Sequence, residues 1–204
     1  MALTHVVRHP QCVLNALRRM QGRDSNSPIT SLGRRQLAQL VAFIDSLGTG
    51  ERPKLVLFGT CLRHKQAGTF IAEHFDIPSR MEEGLAELDF GSWECMTKSE
   101  CEALDPDLWQ ASLRLDDSFA FPDGTSVVEA REQVTSFLGQ HDFSVGTLML
   151  TSGFTLKTIH QVITGSNPEG YVGPCRLTTY RGEELKRLEI LRVNEHGFLE
   201  EDLE

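Results

Sequence analysis

The sequence predicts an α/β fold, a three-layer sandwich in which a mainly parallel sheet carries helices on both faces. A short apolar run that reads as a buried strand is followed by a helix-spaced segment three times along the chain. A pair of late apolar stretches around Arg181-Gly182 then reads as a hairpin that adds the last strands. No internal repeat, low-complexity stretch or Pro/Gly/Ser linker divides the chain, so residues 1–204 are expected to form one domain.

The first strand is expected over Leu3 to Val7, ending at Arg8-His9-Pro10. From Ser31 onward, Leu37, Leu40, Val41, Ile44 and Leu47 fall at helical spacing, with Gly48 where a helix C-cap belongs. Lys54 to Phe58 is the second strand, and Gly59 leads into a helix marked by Ala67, Phe70 and Ile71. Thr97 and Glu100 form a capping box ahead of a helix to about Leu113, and Ser126 and Glu129 form another ahead of Val127, Ala130, Val134, Phe137 and Leu138. Thr147 to Leu150 is the third strand, followed after Gly153 by a helix carrying Leu156, Ile159, Val162 and Ile163. Arg176 to Tyr180 and Leu185 to Val193 make the hairpin.

Composition narrows the function classes. Of the 204 residues 40% are hydrophobic and 24% charged, which suits a core that needs no metal or disulfide staples. No apolar run approaches the roughly 18 residues a membrane span needs, and the start of the chain has no signal-peptide pattern, so a cytoplasmic location is expected. The net charge of -9 argues against nucleic-acid or anionic-membrane partners. Five of those nine negatives sit in the last eleven residues, from Asn194 to Glu204. The five cysteines, Cys12, Cys61, Cys95, Cys101 and Cys175, have irregular spacing and read as free thiols.

In a parallel α/β sheet, ligands bind at the carboxyl ends of the strands. Those ends carry Arg8-His9 after the first strand, Arg63 after the second and Ser152-Gly153 after the third. The planar fork of arginine matches phosphate oxygens bidentately, and the N-termini of the following helices add N–H donors. A phosphoryl-binding site is therefore expected if those strands are neighbours.

Five ordered segments resemble the histidine phosphatase superfamily, also called phosphoglycerate mutase-like. Arg8-His9-Pro10-Gln11-Cys12-Val13-Leu14-Asn15 is similar to its Arg-His-Gly-Glu-Thr-x-x-Asn signature. Pro28-Ile29-Thr30-x-x-Gly33-x-x-Gln36-Leu37, after Gln21-Gly22, resembles its Pro-Leu-Thr-x-x-Gly-x-x-Gln-Ala segment. Arg63-His64-Lys65-Gln66-Ala67-Gly68 is similar to Arg-Ala-x-Gln-Thr-Ala, Leu85 through Glu94 to Leu-x-Glu-x-x-x-Gly-x-Trp-Glu, and Pro122 through Ser126 to Pro-Gly-Gly-Glu-Ser. The resemblance implies that fold, with no cofactor or metal, and a small phosphorylated molecule as substrate; a homodimer through the C-terminal hairpin is allowed. It implies that His9 attacks phosphorus to give a phosphohistidine that water hydrolyses. Arg8 and Arg63 would hold the phosphoryl oxygens, with Asn15, Ser152 and Gly153 as further phosphate contacts. Glu87 stands at the proton-donor position, a role that asks for a pKa raised by burial or by a second carboxylate. Asn15 could equally cap a helix, and Glu87 could be a solvated loop charge.

The departures cluster in one place. The family's late Ser-His-Gly reads Thr151-Ser152-Gly153 here, so the second catalytic histidine is Ser152. Losing a charge-assisted bond of about 1.5–3 kcal/mol corresponds to a 10- to 100-fold or greater drop in rate. Pro10, Gln11 and Cys12 replace Gly, Glu and Thr, and Gly59-Thr60 stands where the family has Ser-Pro. Pro10 removes a backbone N–H and pushes His9 toward extended geometry. His64 and His160 are the nearest other histidines. His64 is expected to point away from its neighbour Arg63, and His160 lies more than a turn beyond Ser152, so both read as ordinary histidines. Cys12 and Cys61 could face each other across the pocket. The stretch from Leu113 to Phe121, with Asp116, Asp117, Phe119 and Phe121, is expected at the pocket rim. Two readings stand at this point: a phosphomonoesterase working through His9, and a catalytically silent relative that binds a phosphorylated ligand or a protein partner.

Overall fold

The computed structural model describes residues 2–23, 26–168, 170 and 172–199. The acidic residues Glu200, Glu201, Asp202 and Glu204 lie outside them. Six strands form one sheet among the described residues: β1 (Leu3–Arg8), β2 (Leu55–Phe58), β3 (Ser79–Met81), β4 (Thr147–Thr151), β5 (Leu177–Arg181) and β6 (Glu189–Glu195). Their order is β3-β2-β4-β1-β5-β6. The first four run parallel, and β5 and β6 close one side as an antiparallel hairpin.

Each central strand sends alternate residues to opposite faces, and both faces are apolar. Val7, Val56, Phe58, Leu148 and Leu150 pack against Leu37, Leu40, Val41 and Ile44 of α2 (Ser31–Ser46) and against Ala67 and Ile71 of α3 (Leu62–Phe75). Val6, Leu57 and Met149 face Val134 and Leu138 of α6 (Val127–Gln140) and Leu156 and Ile159 of α7 (Gly153–Thr164). Each fully buried aliphatic side chain contributes about 1.5–3 kcal/mol, so the two interfaces fix the three-layer arrangement and the strand register together. Among the described residues no helix is long and apolar enough to cross a membrane.

Both capping boxes form: Thr97 with Glu100, and Ser126 with Glu129. The expected helix from Thr97 to about Leu113 is instead two, α4 (Lys98–Leu104) and α5 (Pro106–Arg114). Pro106 disfavours helical geometry at Asp105, which turns extended (φ -150°, ψ 92°) and caps α5 by accepting from Leu108 N at 2.9 Å. α2 ends without a left-handed residue at Gly48, because Leu47 leaves the helix directly in extended geometry. Strand β3 was not expected: its three residues are exposed, and pairing with β2 makes them a strand.

Of the stretch placed at a pocket rim, Leu115, Phe119 and Phe121 belong to the core. Phe119 and Phe121 are buried with Trp93, Trp109 and Phe90 in a third apolar cluster that the aromatic edges and faces build. Asp116 accepts from Ser118, and Asp117 accepts from Arg131 Nη2 at 2.7 Å, so both carboxylates are spent on local structure.

Candidate active site

The parallel register sets the site. Arg8 pairs with Thr151 across β1 and β4, so His9 and Ser152 leave the sheet side by side, and His9 N donates to Thr151 O at 2.8 Å. Across β2 and β4, Gly59 N donates to Leu150 O at 3.1 Å, bringing the start of the α3 segment to the same edge. The neighbouring strands that the sequence argument required are therefore in place.

His9 is 1% exposed, and its Nδ1–H donates to the carbonyl of Pro10 at 2.7 Å. That acceptor fixes the tautomer by hydrogen-bond balance, leaving the lone pair on Nε2. Burial, then the charges of Arg63 and Arg8 with His64 beside it, hold its pKa well below 6.5, so the imidazole is neutral at pH 7. Pro10, a departure that promised distortion, thus supplies the orienting carbonyl. The next residue is pinned as well: Gln11 N donates to Gln36 Oε1 at 2.9 Å, and Gln11 O accepts from Thr30 N at 3.0 Å. Gly33 is obligatory here, since a Cβ would lie 2.0 Å from the Gln11 carbonyl oxygen.

Two guanidinium groups flank the imidazole. Arg63, fully buried at the start of α3, donates through Nη2 to Ser152 Oγ at 3.0 Å and to Gly22 O at 3.1 Å. Arg8 donates through Nη1 to Val172 O at 2.6 Å, and a Cβ on Gly153 would lie 3.5 Å from its Nε. Arg8, Arg63, Ser152 and Gly153 therefore converge with His9. His64 converges with them, contrary to the expectation that it would point away. Its ring is fully buried, with Nε2 2.7 Å from Ser152 Oγ and its centroid 5.5 Å from that of His9. Arg63 and His64 nevertheless both reach Ser152 Oγ, and His64 finds room because Gly59 carries no side chain: a Cβ there would lie 2.4 Å from its Nδ1. His160 behaves as the sequence suggested: Nδ1 bonds the Tyr180 hydroxyl at 2.8 Å in the interior.

Asn15 is tied into the short helix α1 (Val13–Ala16), where Oδ1 accepts from Cys12 N at 3.3 Å and from Cys12 Sγ at 3.0 Å. Cys12 also donates to Gln21 Oε1, whereas Cys61 bonds the Arg23 carbonyl, so each thiol has partners of its own. Glu87 is 5% exposed and is not a solvated loop charge. Its Oε1 accepts from Leu88 N, Thr155 N and Thr155 Oγ1 at 3.1–3.2 Å, and its Oε2 from Phe154 N at 3.3 Å, so it sits on the positive end of α7. Lys157, which carries no motif, is half-buried on the same helix. Its Nζ lies 5.5 Å from the Phe154 ring centroid, and burial together with Arg8 and Lys98 lowers its pKa. The assembly can hold a dianion between cations beside a neutral, pre-oriented nitrogen nucleophile.

The sequence profile of the histidine phosphatase superfamily (branch 1) matches residues 4–195. The chain belongs to the histidine phosphatase superfamily. Membership places it among phosphatases. Solved histidine phosphatase-like structures share its fold. Bacillus stearothermophilus YhfR superposes with a TM-score of 0.81 at 21% identity, covering 98% of this chain and 100% of its own. A protein described as mycobacterial hydrolase 1 gives 0.80 at 18%, covering 96% and 99%. A mycobacterial glucosyl-3-phosphoglycerate phosphatase in complex with VO3 gives 0.79 at 19%, also covering 96% and 99%. No functionally curated protein matches the chain. For this histidine phosphatase the six-stranded, mostly parallel sheet with helices on both faces is thus the family's own architecture.

Proposed function

We propose that this histidine phosphatase hydrolyses a small phosphomonoester through a phosphohistidine at His9. The observation that carries the reading is the state of His9: buried, neutral, and held by Pro10 with its Nε2 lone pair available beside two arginines. In the first step the Nε2–P bond forms as the ester P–O bond breaks, and Glu87 gives its proton to the leaving oxygen. In the second, water attacks phosphorus, its proton passes to Glu87, and the P–N bond breaks to release inorganic phosphate. Arg8 and Arg63 offset the charge on the equatorial oxygens, which is most of what a protein contributes to this reaction. Lys157, on the same helix as Phe154 and in electrostatic contact with Arg8 and Glu87, adds a further cation for an anionic substrate.

The test is alkali-quenched trapping of phosphoenzyme together with steady-state hydrolysis of p-nitrophenyl phosphate, in wild type and in His9→Ala. Wild type is expected to turn over and to form an acid-labile, base-stable phosphoenzyme, and His9→Ala to do neither. Turnover that survives in His9→Ala would overturn the reading. A wild type that binds phosphate esters without turnover would favour the silent, ligand-binding relative.

A further inference from the structure

We infer that Gly59, His64 and Ser152 act as one unit, in which His64 enters the phosphoryl pocket from α3 and positions Ser152 as the hydrogen-bond donor that the second catalytic histidine would otherwise be. The inference rests on the phosphatase reading above for its chemistry, and on contacts of this chain for its geometry.

The contacts come first. His64 Nε2 lies 2.7 Å from Ser152 Oγ, Arg63 Nη2 lies 3.0 Å from the same oxygen, and the His64 and His9 rings stand 5.5 Å apart at 47°. His64 Nδ1 is buried with no partner among the described residues. A buried N–H without a partner is costlier than an unused lone pair, so the neutral ring carries its proton on Nε2. Arg63 and His64 then both donate to Ser152 Oγ and occupy its two lone pairs. The Ser152 hydroxyl hydrogen is left over, at the mouth of α7, one residue beyond the β4 position that pairs with Arg8. Two donors also polarise that O–H, which strengthens the bond it can give to a phosphoryl oxygen.

The motifs that carry the resemblance to the family point the same way. In the family run similar to residues 63–68 the position of His64 is Ala, and in the run similar to 151–153 the position of Ser152 is His. Large and small have changed places across a single contact. A Cβ on Gly59, where the family has Ser, would lie 2.2 Å from Leu85 O and 2.4 Å from His64 Nδ1, so the Leu85 backbone already excludes a side chain here and His64 uses the space this leaves. The departures at 64 and 152, which look like loss one by one, are mutually required. The exchange does not restore a charge, because burial and then Arg63 keep His64 neutral at pH 7. It restores a donor, and it makes His64 a positioning residue and not a nucleophile or acid.

The experiment compares wild type, His64→Ala, Ser152→Ala, the double His64→Ala/Ser152→Ala and the exchange His64→Ala/Ser152→His. Each is measured for kcat and KM on p-nitrophenyl phosphate and, without turnover, for vanadate affinity by calorimetry. His64→Ala and Ser152→Ala are each expected to lower kcat and vanadate affinity about 10- to 100-fold, with KM changed less than about threefold. The double Ala variant should lose no more than either single one, and the exchange should recover to within about threefold of wild type. His64→Gln, which can still donate to Ser152, should retain more activity than His64→Leu, which fills the volume without a donor, and this pair decides the matter if His64→Ala does not fold. Wild-type levels of kcat and vanadate affinity in His64→Ala or His64→Leu would overturn the inference, as would strictly additive losses. Vanadate binding that depends on His64 in a protein with no turnover would uphold the inference while the hydrolysis reading fell. Turnover that depends on His9 but is indifferent to His64 would do the reverse.

Discussion

Glu87 is the residue for which two physical roles compete, and Glu87→Gln separates them. The substitution keeps the shape but removes the ionisable carboxyl, with the proton it would deliver, and one acceptor. Oriented best, the Gln oxygen keeps the bonds from Leu88 N, Thr155 N and Thr155 Oγ1, while its NH2 faces the Phe154 N–H that Oε2 now accepts. The bonds from Leu88 N and Thr155 N weaken by several tenths of a kcal/mol each, the Phe154 N–H loses a partner worth about 1 kcal/mol, and the favourable interaction of a carboxyl with the start of α7 is lost. The total is about 2–3 kcal/mol, or a Tm lower by about 4–12 °C in a chain of this size. If Glu87 only caps α7, that is the whole effect, and rates on all substrates fall by one common factor. If it is also the general acid, the loss depends on the leaving group. A nitrophenolate departs without a proton, whereas an alkoxide does not, and positioned proton transfer contributes about 10²–10⁴-fold. Hydrolysis of an alkyl phosphate should therefore fall at least 10²-fold further than hydrolysis of p-nitrophenyl phosphate, measured below the variant's melting range. Equal losses on the two substrates would refute the acid role and leave Glu87 as a helix cap.

Three further outcomes follow from the same coordinates. Stability should decline as pH falls below about 6.5, because burial lowers the pKa of His5, His9 and His64, so the unfolded chain takes up protons that the folded one refuses; the slope reaches up to about 1.4 kcal/mol per pH unit for each, and urea midpoints at pH 5.5 and 7.5 measure it. The same depression keeps His9 neutral, so if it is the nucleophile kcat should stay level from pH 7.5 to 6.5, where a solvent-exposed imidazole would already be half protonated. Gly33→Ala should cost about 10²-fold in kcat, since its Cβ must displace the Gln11 carbonyl and with it the His9 loop, whereas Gly139→Ala, with nothing within 4 Å of its Cβ, should leave kcat unchanged and raise Tm slightly.

The parts of this fold that are legible in the sequence are those written in periodicity and caps. The central strands declare themselves by apolar runs because both faces of the sheet are covered, and the capping boxes at Thr97 and Ser126 announce helix starts that exist. Strand β3 has no such mark, since Ser79, Arg80 and Met81 are exposed and only the register of β2 makes them a strand. Pro106 could have signalled the break between α4 and α5, because the residue before a proline leaves helical geometry. The aspartates and phenylalanines after Leu113 resemble a polar rim in one dimension, but local bonds and the Trp93 cluster consume them. At the site, the strand-end rule brings Arg8, His9, Arg63 and Ser152 together correctly. The direction of His64 is not legible from its own segment, because it depends on an absent side chain at Gly59 and a short one at Ser152, far apart in sequence.

The charge pattern of the pocket explains why an exchange of this kind is tolerable. Arg63 acts on both neutral imidazoles and Arg8 on that of His9, and the Glu87 carboxyl is turned toward the N–H groups of α7. A phosphoryl dianion entering this space meets two fixed positive charges and a helix N-terminus, which already match it. A third cation at position 152 would add attraction to the ground state as well as to the transition state, and uniform binding of that sort does not raise kcat. What the transferring group needs there is a donor aimed at one oxygen, and a serine held by Arg63 and His64 can give it. The site then keeps its directed hydrogen bond without placing another positive charge beside His9, where it would depress the basicity of the attacking nitrogen further.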